Sequence, residues 1–239
     1  MTRVYLSGQG RMGTALSNLL KDGDPAASGL SLSETIADCD VVADYSHPAA
    51  TATLLESLRD CPRALLVGTT GLQPKLLTQL RTFAQSKPVV LAPNTGTGIT
   101  VLAGLLEHAV KALGPGWDIE VLEMHHRAKV DAPSGTAWML LERAAAPTSP
   151  QAARGLAQPV RLGQTGARSD QEIGIQSLRG GDVVGEHTVY LVGHGERIEL
   201  THRCWDRNSF ARGGLRAARW LGAAERSPGL YSMDDVLSC

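Results

Sequence analysis

Four short apolar runs alternate with segments of helical spacing along residues 1–97. The runs are RVYLSG, CDVVADYS, RALLVG and VVLAPN, and the segment after the first, RMGTALSNLLK, has apolar residues three and four positions apart. Runs this apolar are typical of strands buried on both faces, as in a parallel sheet covered by helices. The alternation therefore predicts a doubly wound α/β domain.

The pattern changes after Gly116, where longer strands with alternating polarity begin. WDIEVLEM, EIGIQSL, GEHTVYLVG and ERIELTHRCW are the predicted strands, a helix is expected over about 135–146, and the stretch PTSPQAARGLAQP is expected to be a loop. In the last strand, apolar and polar side chains alternate, which is typical of antiparallel sheets with unlike faces. The second half therefore predicts an α+β unit built on a different sheet.

The segment GQGRMG, residues 8–13, fits the pattern GxGxxG between a strand and a helix. Gly8 permits a tight turn, Gly10 leaves room for a pyrophosphate beside the backbone, and Gly13 allows the helix to pack closely on the strand. The helix N-terminus offers N–H groups and positive partial charge to phosphate. We expect a dinucleotide site here, the alternative being a plain tight turn.

The second half of that fingerprint is missing from the sequence. An acidic residue about 20 positions later, at the end of a second strand, normally holds the ribose hydroxyls. Here the turn-rich segment 23–29 stands in that place, and we interpret the strand as deleted. Glu34 has the right spacing, but the pattern Ser31-Leu32-Ser33-Glu34 favours a capping box that opens a short helix. Asp22 and Asp24 are further candidates, so the choice between NADH and NADPH stays open.

Three more strand ends, DYSHP, GTTG and APNTGTG, are rich in small and hydroxyl residues. Ligands of parallel α/β sheets bind beyond the carboxyl ends of the strands, so the coincidence of three such ends favours a ligand crevice over ordinary turns. The residues expected to bind the cofactor are Gly8, Gln9, Gly10, Arg11, Met12, Gly13, Gly68, Thr69, Thr70, Ala92, Pro93, Asn94 and Thr95.

The stretch EMHHRAKVDAPSGTA, residues 123–137, concentrates proton carriers. His125 and His126 continue a strand and should point to opposite sides, so we do not expect them to share a role. Lys129 follows where the strand should have become a loop. Two adjacent strand residues rarely chelate one ion, which disfavours a metal site here.

Ser134 is the expected N-cap of the next helix. Gly135 and Thr136 would then present N–H groups at its positive end, which makes an anion site with a hydroxyl donor. A carboxylate held there would have Lys129 or His126 nearby. The pattern predicts proton transfer beside a bound anion, and a purely structural helix cap is the alternative.

Overall composition argues against several classes of function. The net charge is −1, which disfavours a broad nucleic-acid surface, and no apolar run reaches the length of a membrane helix. The N-terminus lacks the pattern of a signal peptide, and the four cysteines form no CxxC pair. We therefore expect a cytoplasmic protein with reduced thiols and no membrane or nucleic-acid partner.

The stretch at 123–137 resembles the signature E-x-H-H-x-x-K-x-D-x-P-S-G-T-A of the dihydrodipicolinate reductase family. The likeness covers nearly the whole chain, through GQGRMG, DYSHP, GTTGL, APNTGTG, GDVVGEHTVYLVGHGERIELTHR and FARGGLRAARWL. It implies an oxidoreductase that reduces 4-hydroxy-tetrahydrodipicolinate (dihydrodipicolinate) to tetrahydrodipicolinate with NADH or NADPH, in diaminopimelate and lysine biosynthesis.

The resemblance also implies residue roles and an architecture. Lys129 would be the general acid and His125 the second proton-handling residue, while the substrate carboxylates would be held by His126, Ser134, Gly135 and Thr136. A Rossmann-like domain, shortened by the missing strand, would comprise residues 1–96 with 206–239. A mixed-sheet domain for substrate binding and oligomerisation would comprise 97–205, and the assembly would be a homotetramer.

Two rival hypotheses remain. A non-catalytic relative could keep the diacid pocket for binding or regulation after losing productive cofactor binding, which the trimmed second strand favours and the intact Lys129 and His125 oppose. A second enzyme could act on another small diacid.

Overall fold

The structure, a computed structural model, describes residues 1–61, 63–146, 149–223 and 226–238. The chain divides into two units, Met1–Thr97 with Asn208–Cys239 and Gly98–Arg207. The sequence-based domain limits, 1–96 with 206–239 and 97–205, differ from these bounds by at most two residues. Within the described ranges, no helix is long and apolar enough to span a membrane.

The first unit is built on a parallel sheet of six short strands. Its strands are β1 (Thr2–Ser7), β2 (Leu30–Leu32), β3 (Val41–Asp44), β4 (Ala64–Val67), β5 (Pro88–Leu91) and β11 (Gly229–Tyr231), in the order β11-β5-β4-β3-β1-β2. The helices are α1 (Arg11–Lys21), α2 (Pro48–Ser57), α3 (Pro74–Phe83), α7 (Asn208–Gly222) and α8 (Met233–Leu237), with a 3₁₀ turn at Pro25–Ala27. The expected doubly wound sheet is confirmed.

Both faces of this sheet are buried, as the apolar runs predict. Alternate strand residues pack against α1 and α7 on one face, where Leu16 and Leu215 lie in the same core as Val41. The other alternates pack against α2 and α3, where Leu58 and Leu80 are fully buried. This double burial fixes the strand ends rigidly, and the loops that follow them inherit that rigidity. The sequence also predicts a last long helix over about 209–224, and Ala224 lies outside the described residues.

The interpretation of a deleted second strand is wrong. Leu30–Leu32 forms β2, which pairs in parallel with β1 through Thr2–Leu30, Arg3–Ser31 and Val4–Leu32. The helix expected from the Ser31–Glu34 capping box does not form, because pairing with β1 holds Ser31 and Leu32 extended. Glu34 is instead exposed two residues beyond the carboxyl end of β2.

The second unit contains a mixed sheet in the order β10-β9-β6-β8-β7. Its strands are β6 (Asp118–His125), β7 (Ala157–Gln158), β8 (Ile173–Arg179), β9 (Gly185–Val192) and β10 (Arg197–Cys204). β8 runs parallel to β6, whereas β9 is antiparallel to both β6 and β10. Three helices accompany the sheet, namely α4 (Thr97–Leu113), α5 (Gly135–Ala144) and α6 (Pro150–Gly155).

One face of the second sheet forms the core with these helices. Val121, Val189 and Leu191 point to that face and pack with Leu106 of α4 and Leu140 of α5. The residues that alternate with them lie on the opposite face, so β9 has the burial pattern of a sheet covered on one side. Residues 147 and 148 of the expected loop lie outside the described residues. The remainder is not a plain loop, because Ser149 caps α6 and β7 follows it.

Candidate active site

The glycine turn between β1 and α1 has the geometry of a phosphate cradle. Gly8 adopts φ +100°, and a Cβ there would lie 2.5 Å from the carbonyl oxygen of Tyr45. A Cβ at Gly13 would lie 2.0 Å from the carbonyl oxygen of Gly8, so the helix packs directly on the turn. A Cβ at Gly10 would meet no atom within 4 Å, which leaves open space beside the backbone. These glycine positions fit a dinucleotide pyrophosphate.

The other predicted residues of this turn surround the open space. Gly10 is the N-cap of α1, and no side chain at this position caps the first N–H groups of the helix. Gln9 and Arg11 are exposed, and Met12 is half-buried against the core of the sheet. The site thus combines helix N–H groups with one guanidinium group, a suitable environment for a phosphate.

The turn after β4 is organised by a buried carboxylate. Asp44, at the end of β3, accepts hydrogen bonds from the hydroxyl groups of Ser46 (2.6 Å), Thr51 (2.5 Å) and Thr69 (3.0 Å). The Thr69 hydroxyl also accepts a hydrogen bond from Ser46 N, and its side chain is buried. Thr69 therefore ties two strand ends together, while Thr70 is exposed at the tip.

The turn after β5 is tied to α7. The Thr95 hydroxyl donates to the carbonyl oxygen of Phe210 at 2.7 Å, and Asn94 Oδ1 accepts from Gly96 N at 2.8 Å. Ala92 is buried and Pro93 is exposed. Thr95, predicted to contact the cofactor, has its side chain turned inward, so only its backbone is positioned for that role.

Tyr45 is a residue of this site that the sequence analysis missed. Its ring lies against Gly68, where a Cβ would be 2.2 Å from the ring, and its hydroxyl lies against Gly214, where a Cβ would be 2.5 Å away. The Tyr45 hydroxyl donates to Thr95 Oγ1 at 3.4 Å, and burial raises the pKa of Tyr45. Tyr45 thereby packs the three ligand-facing turns against each other. Gly68 and Gly214 leave room for Tyr45, but the sequence alone does not indicate that they face it.

In the second unit, Ser134 begins α5 as predicted. Its hydroxyl oxygen accepts a hydrogen bond from Ala137 N at 3.1 Å and lies 3.2 Å from His187 Nε2. Its own N–H donates to Glu123 Oε1 at 3.2 Å. The buried Ser134 is thus fully used inside the protein, and Gly135 and Thr136 follow it in the first turn of α5.

His125 is the last residue of β6 and lies on the buried side of the strand. Its Nδ1 is 2.5 Å from Glu123 Oε2, and both Nη atoms of Arg179 lie 2.9 Å from the same carboxylate. Burial raises the pKa of Glu123, but the hydrogen bonds from His125 and Arg179 outweigh it and lower the pKa to about 2. Glu123 is therefore an ionised carboxylate with no exposed surface.

Lys129 and His126 lie in the loop between β6 and α5. The Lys129 ammonium is 2.8 Å from Asp131 Oδ1, and its side chain is 20% exposed. The hydrogen bond from Lys129 lowers the pKa of Asp131, so this carboxylate is ionised at neutral pH. Lys129 N donates to the His126 carbonyl, and His126 is half-buried beyond the strand end.

His187 completes the cluster from β9. Its ring meets that of His125 edge to face, with centroids 5.2 Å apart. Burial, and then the nearby His125, lower the pKa of His187 from 6.5 to about 3, so it is neutral at physiological pH. Sequence analysis missed Glu123, Arg179 and His187. Within the described part of the chain, no three His, Cys, Asp or Glu side chains group as metal ligands.

The geometry gives two sites, a phosphate cradle in the first unit and an anion site with proton donors in the second. Comparison with known proteins assigns both units to one family. Models of the dihydrodipicolinate reductase family match residues 25–95 (its N-terminal part) and 98–237 (its C-terminal part). The chain belongs to the dihydrodipicolinate reductase family.

Individual relatives agree with this assignment. A 4-hydroxy-tetrahydrodipicolinate reductase of Acinetobacter baumannii (strain AYE) is 47% identical over 87% of this chain and 75% of its own length. That of Methylocella silvestris is 45% identical over 97% of this chain and 80% of its own. The dipicolinate-bound dihydrodipicolinate reductase of Paenisporosarcina sp. TG-14 has the same fold, with a TM-score of 0.75 at 22% identity, covering 99% of this chain and 100% of that one. This reductase family uses a nicotinamide cofactor.

Proposed function

We propose that this chain reduces 4-hydroxy-tetrahydrodipicolinate, or its dehydrated form, to tetrahydrodipicolinate with NADH or NADPH, as a step of diaminopimelate and lysine biosynthesis. The observation that carries the proposal is the start of α5. The loop that contains Lys129 leads into this helix, and Ser134 at its N-cap contacts Glu123, the partner of His125. A small cyclic diacid needs paired anion donors and a proton source, and this loop supplies both.

The carboxylates of the diacid would be held by the positive end of α5. Gly135 and Thr136 N–H groups, with the Thr136 hydroxyl, suit one carboxylate, and His126 suits the other. Ser134 takes part by orientation, because its inward hydrogen bonds to Ala137 N and Glu123 set the direction of the following N–H groups.

Proton delivery would come from Lys129. When bound, a nicotinamide would supply a hydride, and the negative charge that the hydride leaves on the conjugated ring of the diacid would need one proton. Asp131, 2.8 Å away, pairs with Lys129 and limits its motion. Lys129 Nζ gives its proton to the ring and regains one from water, while His125 is the second proton-handling group. General acid help of this kind contributes roughly 10²–10⁴-fold to the rate.

The cofactor would lie on the glycine turn of the first unit. Support comes from the positive φ of Gly8, the open space at Gly10 and the close packing at Gly13, while the turns at 68–70 and 92–95 follow neighbouring strands. Glu34 is exposed just beyond β2. An acidic side chain near the end of the second strand can accept hydrogen bonds from the ribose hydroxyls and repel a 2′-phosphate. We therefore propose that NADH is preferred. The presence of β2 removes the feature that favoured a non-catalytic relative.

A homotetramer in the cytoplasm is the proposed state of the enzyme. Support for assembly comes from the helix-free face of the second sheet, where Leu122, Met124 and Leu178 lie side by side through the β6–β8 register. Leu178 is 46% exposed, as is expected of a face that another copy covers.

A coupled assay tests the function. Purified protein is mixed with aspartate semialdehyde, pyruvate and the preceding synthase, and the absorbance of NADH or of NADPH is followed separately. We expect oxidation with both, faster with NADH, and a loss of at least about 10²-fold in kcat for Lys129→Ala. Oxidation of neither cofactor would refute the proposal, and unchanged turnover of Lys129→Ala would remove that residue from it.

A further inference from the structure

The carboxylate of Glu123 has four hydrogen-bond donors around it and no exposed surface. His125 Nδ1 lies 2.5 Å from Oε2, Ser134 N lies 3.2 Å from Oε1, and Arg179 contributes two contacts of 2.9 Å. Arg179 also donates to the carbonyl oxygens of Leu178 and Asp131, which fixes the guanidinium between β8 and the loop. The carboxylate is therefore held in one orientation, and it can in turn orient the imidazole of His125.

An ionised carboxylate only accepts hydrogen bonds, so the short contact requires a proton on His125 Nδ1. The neutral ring then carries its lone pair on Nε2, which is the atom left for proton exchange. Gly185 lies close to Nε2, because a Cβ there would be only 3.1 Å from that nitrogen, so a larger residue at this position would crowd the ring.

We propose that Glu123 is a positioning residue that holds His125 as the Nδ1–H tautomer, while Arg179 helps to keep Glu123 ionised. This inference rests on the proposed function only in giving His125 a proton to handle. Glu123 has no exposed surface, so it acts through the groups that it holds, the His125 ring and Ser134 N. The same logic operates wherever a buried carboxylate orients a histidine that exchanges protons.

Several charged or titratable groups face His125, and their signs decide what a change at Glu123 does. Glu123 is the anion from β6, Arg179 the cation from β8, and Lys129 the cation from the loop. His187 from β9 is neutral. His202, which pairs with His187 from the neighbouring strand β10, has its pKa lowered by burial. Removing the anion leaves two cations, Arg179 and Lys129, near a ring whose Nδ1 has lost its carboxylate acceptor.

Glu123→Gln is the test, because glutamine keeps the shape but its amide N–H₂ donates to Nδ1 and favours the opposite tautomer. We expect kcat to fall by about 10²-fold with KM for the diacid changed less than about threefold. Glu120→Gln is the matched control, since Glu120 lies on the opposite face of the same strand and pairs with Arg161 and Arg168. It should leave kcat within about twofold.

A double-variant cycle separates positioning from a merely structural role. If Glu123 acts through His125, Glu123→Gln should have little further effect on kcat in the His125→Gln background. Full additivity of the two losses, or an unchanged kcat in Glu123→Gln, would overturn the inference.

A tautomer measurement keeps this test independent of the proposed function. In ¹⁵N-labelled protein at neutral pH, the imidazole shifts of His125 should show a protonated Nδ1 in the wild type and a protonated Nε2 in Glu123→Gln. An Nε2–H tautomer in the wild type would sink the inference even if the enzyme is active. A wild type without reductase activity would sink the proposed function while the NMR result still decides the role of Glu123.

Discussion

Acid should destabilise this protein through His187, and the effect has a size that can be worked out. The side chain is 4% exposed, its Nε2 is 3.2 Å from Ser134 Oγ, and its Nδ1 has no hydrogen-bond partner among the described residues. Burial, and then His125, lower its pKa from 6.5 to about 3. The unfolded chain therefore binds a proton at this residue below pH 6.5, whereas the folded chain stays neutral until about pH 3.

The sign and size follow from that difference. Stability from neutral His187 is fully present above pH 6.5 and is lost as the pH falls toward about 3. Each pH unit in this window costs about 1.4 kcal/mol, so the free energy of unfolding should drop by about 2 kcal/mol between neutral pH and about pH 5. His187→Gln removes the titration and should abolish that part of the loss, although it costs packing at every pH.

Urea unfolding at a fixed protein concentration, at about pH 7.5 and about pH 5, measures the effect. The decisive quantity is the change in unfolding free energy between the two pH values, compared between wild type and His187→Gln. The exposed His194 on the same sheet provides a matched control, and His194→Gln should keep the wild-type dependence. If His187→Gln loses as much stability on acidification as the wild type, His187 is not the buried neutral group described here.

Three further outcomes are expected. Gly10→Ala should raise the Kd for NADH at least about tenfold in a fluorescence titration, because its Cβ would fill the open space beside the backbone. Gly13→Ala should instead destabilise the fold by about 1–3 kcal/mol, because its Cβ would lie 2.0 Å from Gly8 O. Equal Tm values for the two variants would contradict this difference. Glu34→Arg should raise the NADPH/NADH ratio of kcat/KM at least about tenfold, and an unchanged ratio would remove Glu34 as the selector. Leu122→Glu should lower the mass measured by light scattering at least by about half while the circular dichroism spectrum stays unchanged. An unchanged mass would show that the open sheet face is not the interface.

The sequence predicted the first sheet well because each of its central strands is buried on both faces and leaves a continuous apolar run. It failed at β2, where the reason is physical. β2 lies at the end of the sheet, pairs only with β1, and buries just one of its three residues well, Leu30. Three residues give no period to read, and the local capping-box pattern then outweighed a pairing that depends on tertiary contact.

The proposed cofactor residues show a similar division between backbone and side chain. Gly8 and Gly13 were readable because their roles depend on backbone conformation, which a glycine pattern encodes directly. The inward hydroxyl groups of Thr69 and Thr95 were not readable, since their partners, Asp44 and the Phe210 carbonyl, come from other strand ends and from α7. A strand-end rule predicts which turns face a ligand but not which side chains of those turns do so.

The His125 cluster marks where sequence reasoning ends. Glu123 and His125 are two residues apart in a predicted strand, so the period of 2 places both on one face, and their contact could have been inferred. Arg179 could not, because it lies 56 residues from Glu123 and reaches it only because β8 runs parallel to β6 with His125 opposite Arg179. A parallel pairing over that separation has no local signal. Arg179 is nevertheless part of what the readable pair can do, because its hydrogen bonds, with that from His125, lower the pKa of the buried Glu123 and keep it an acceptor.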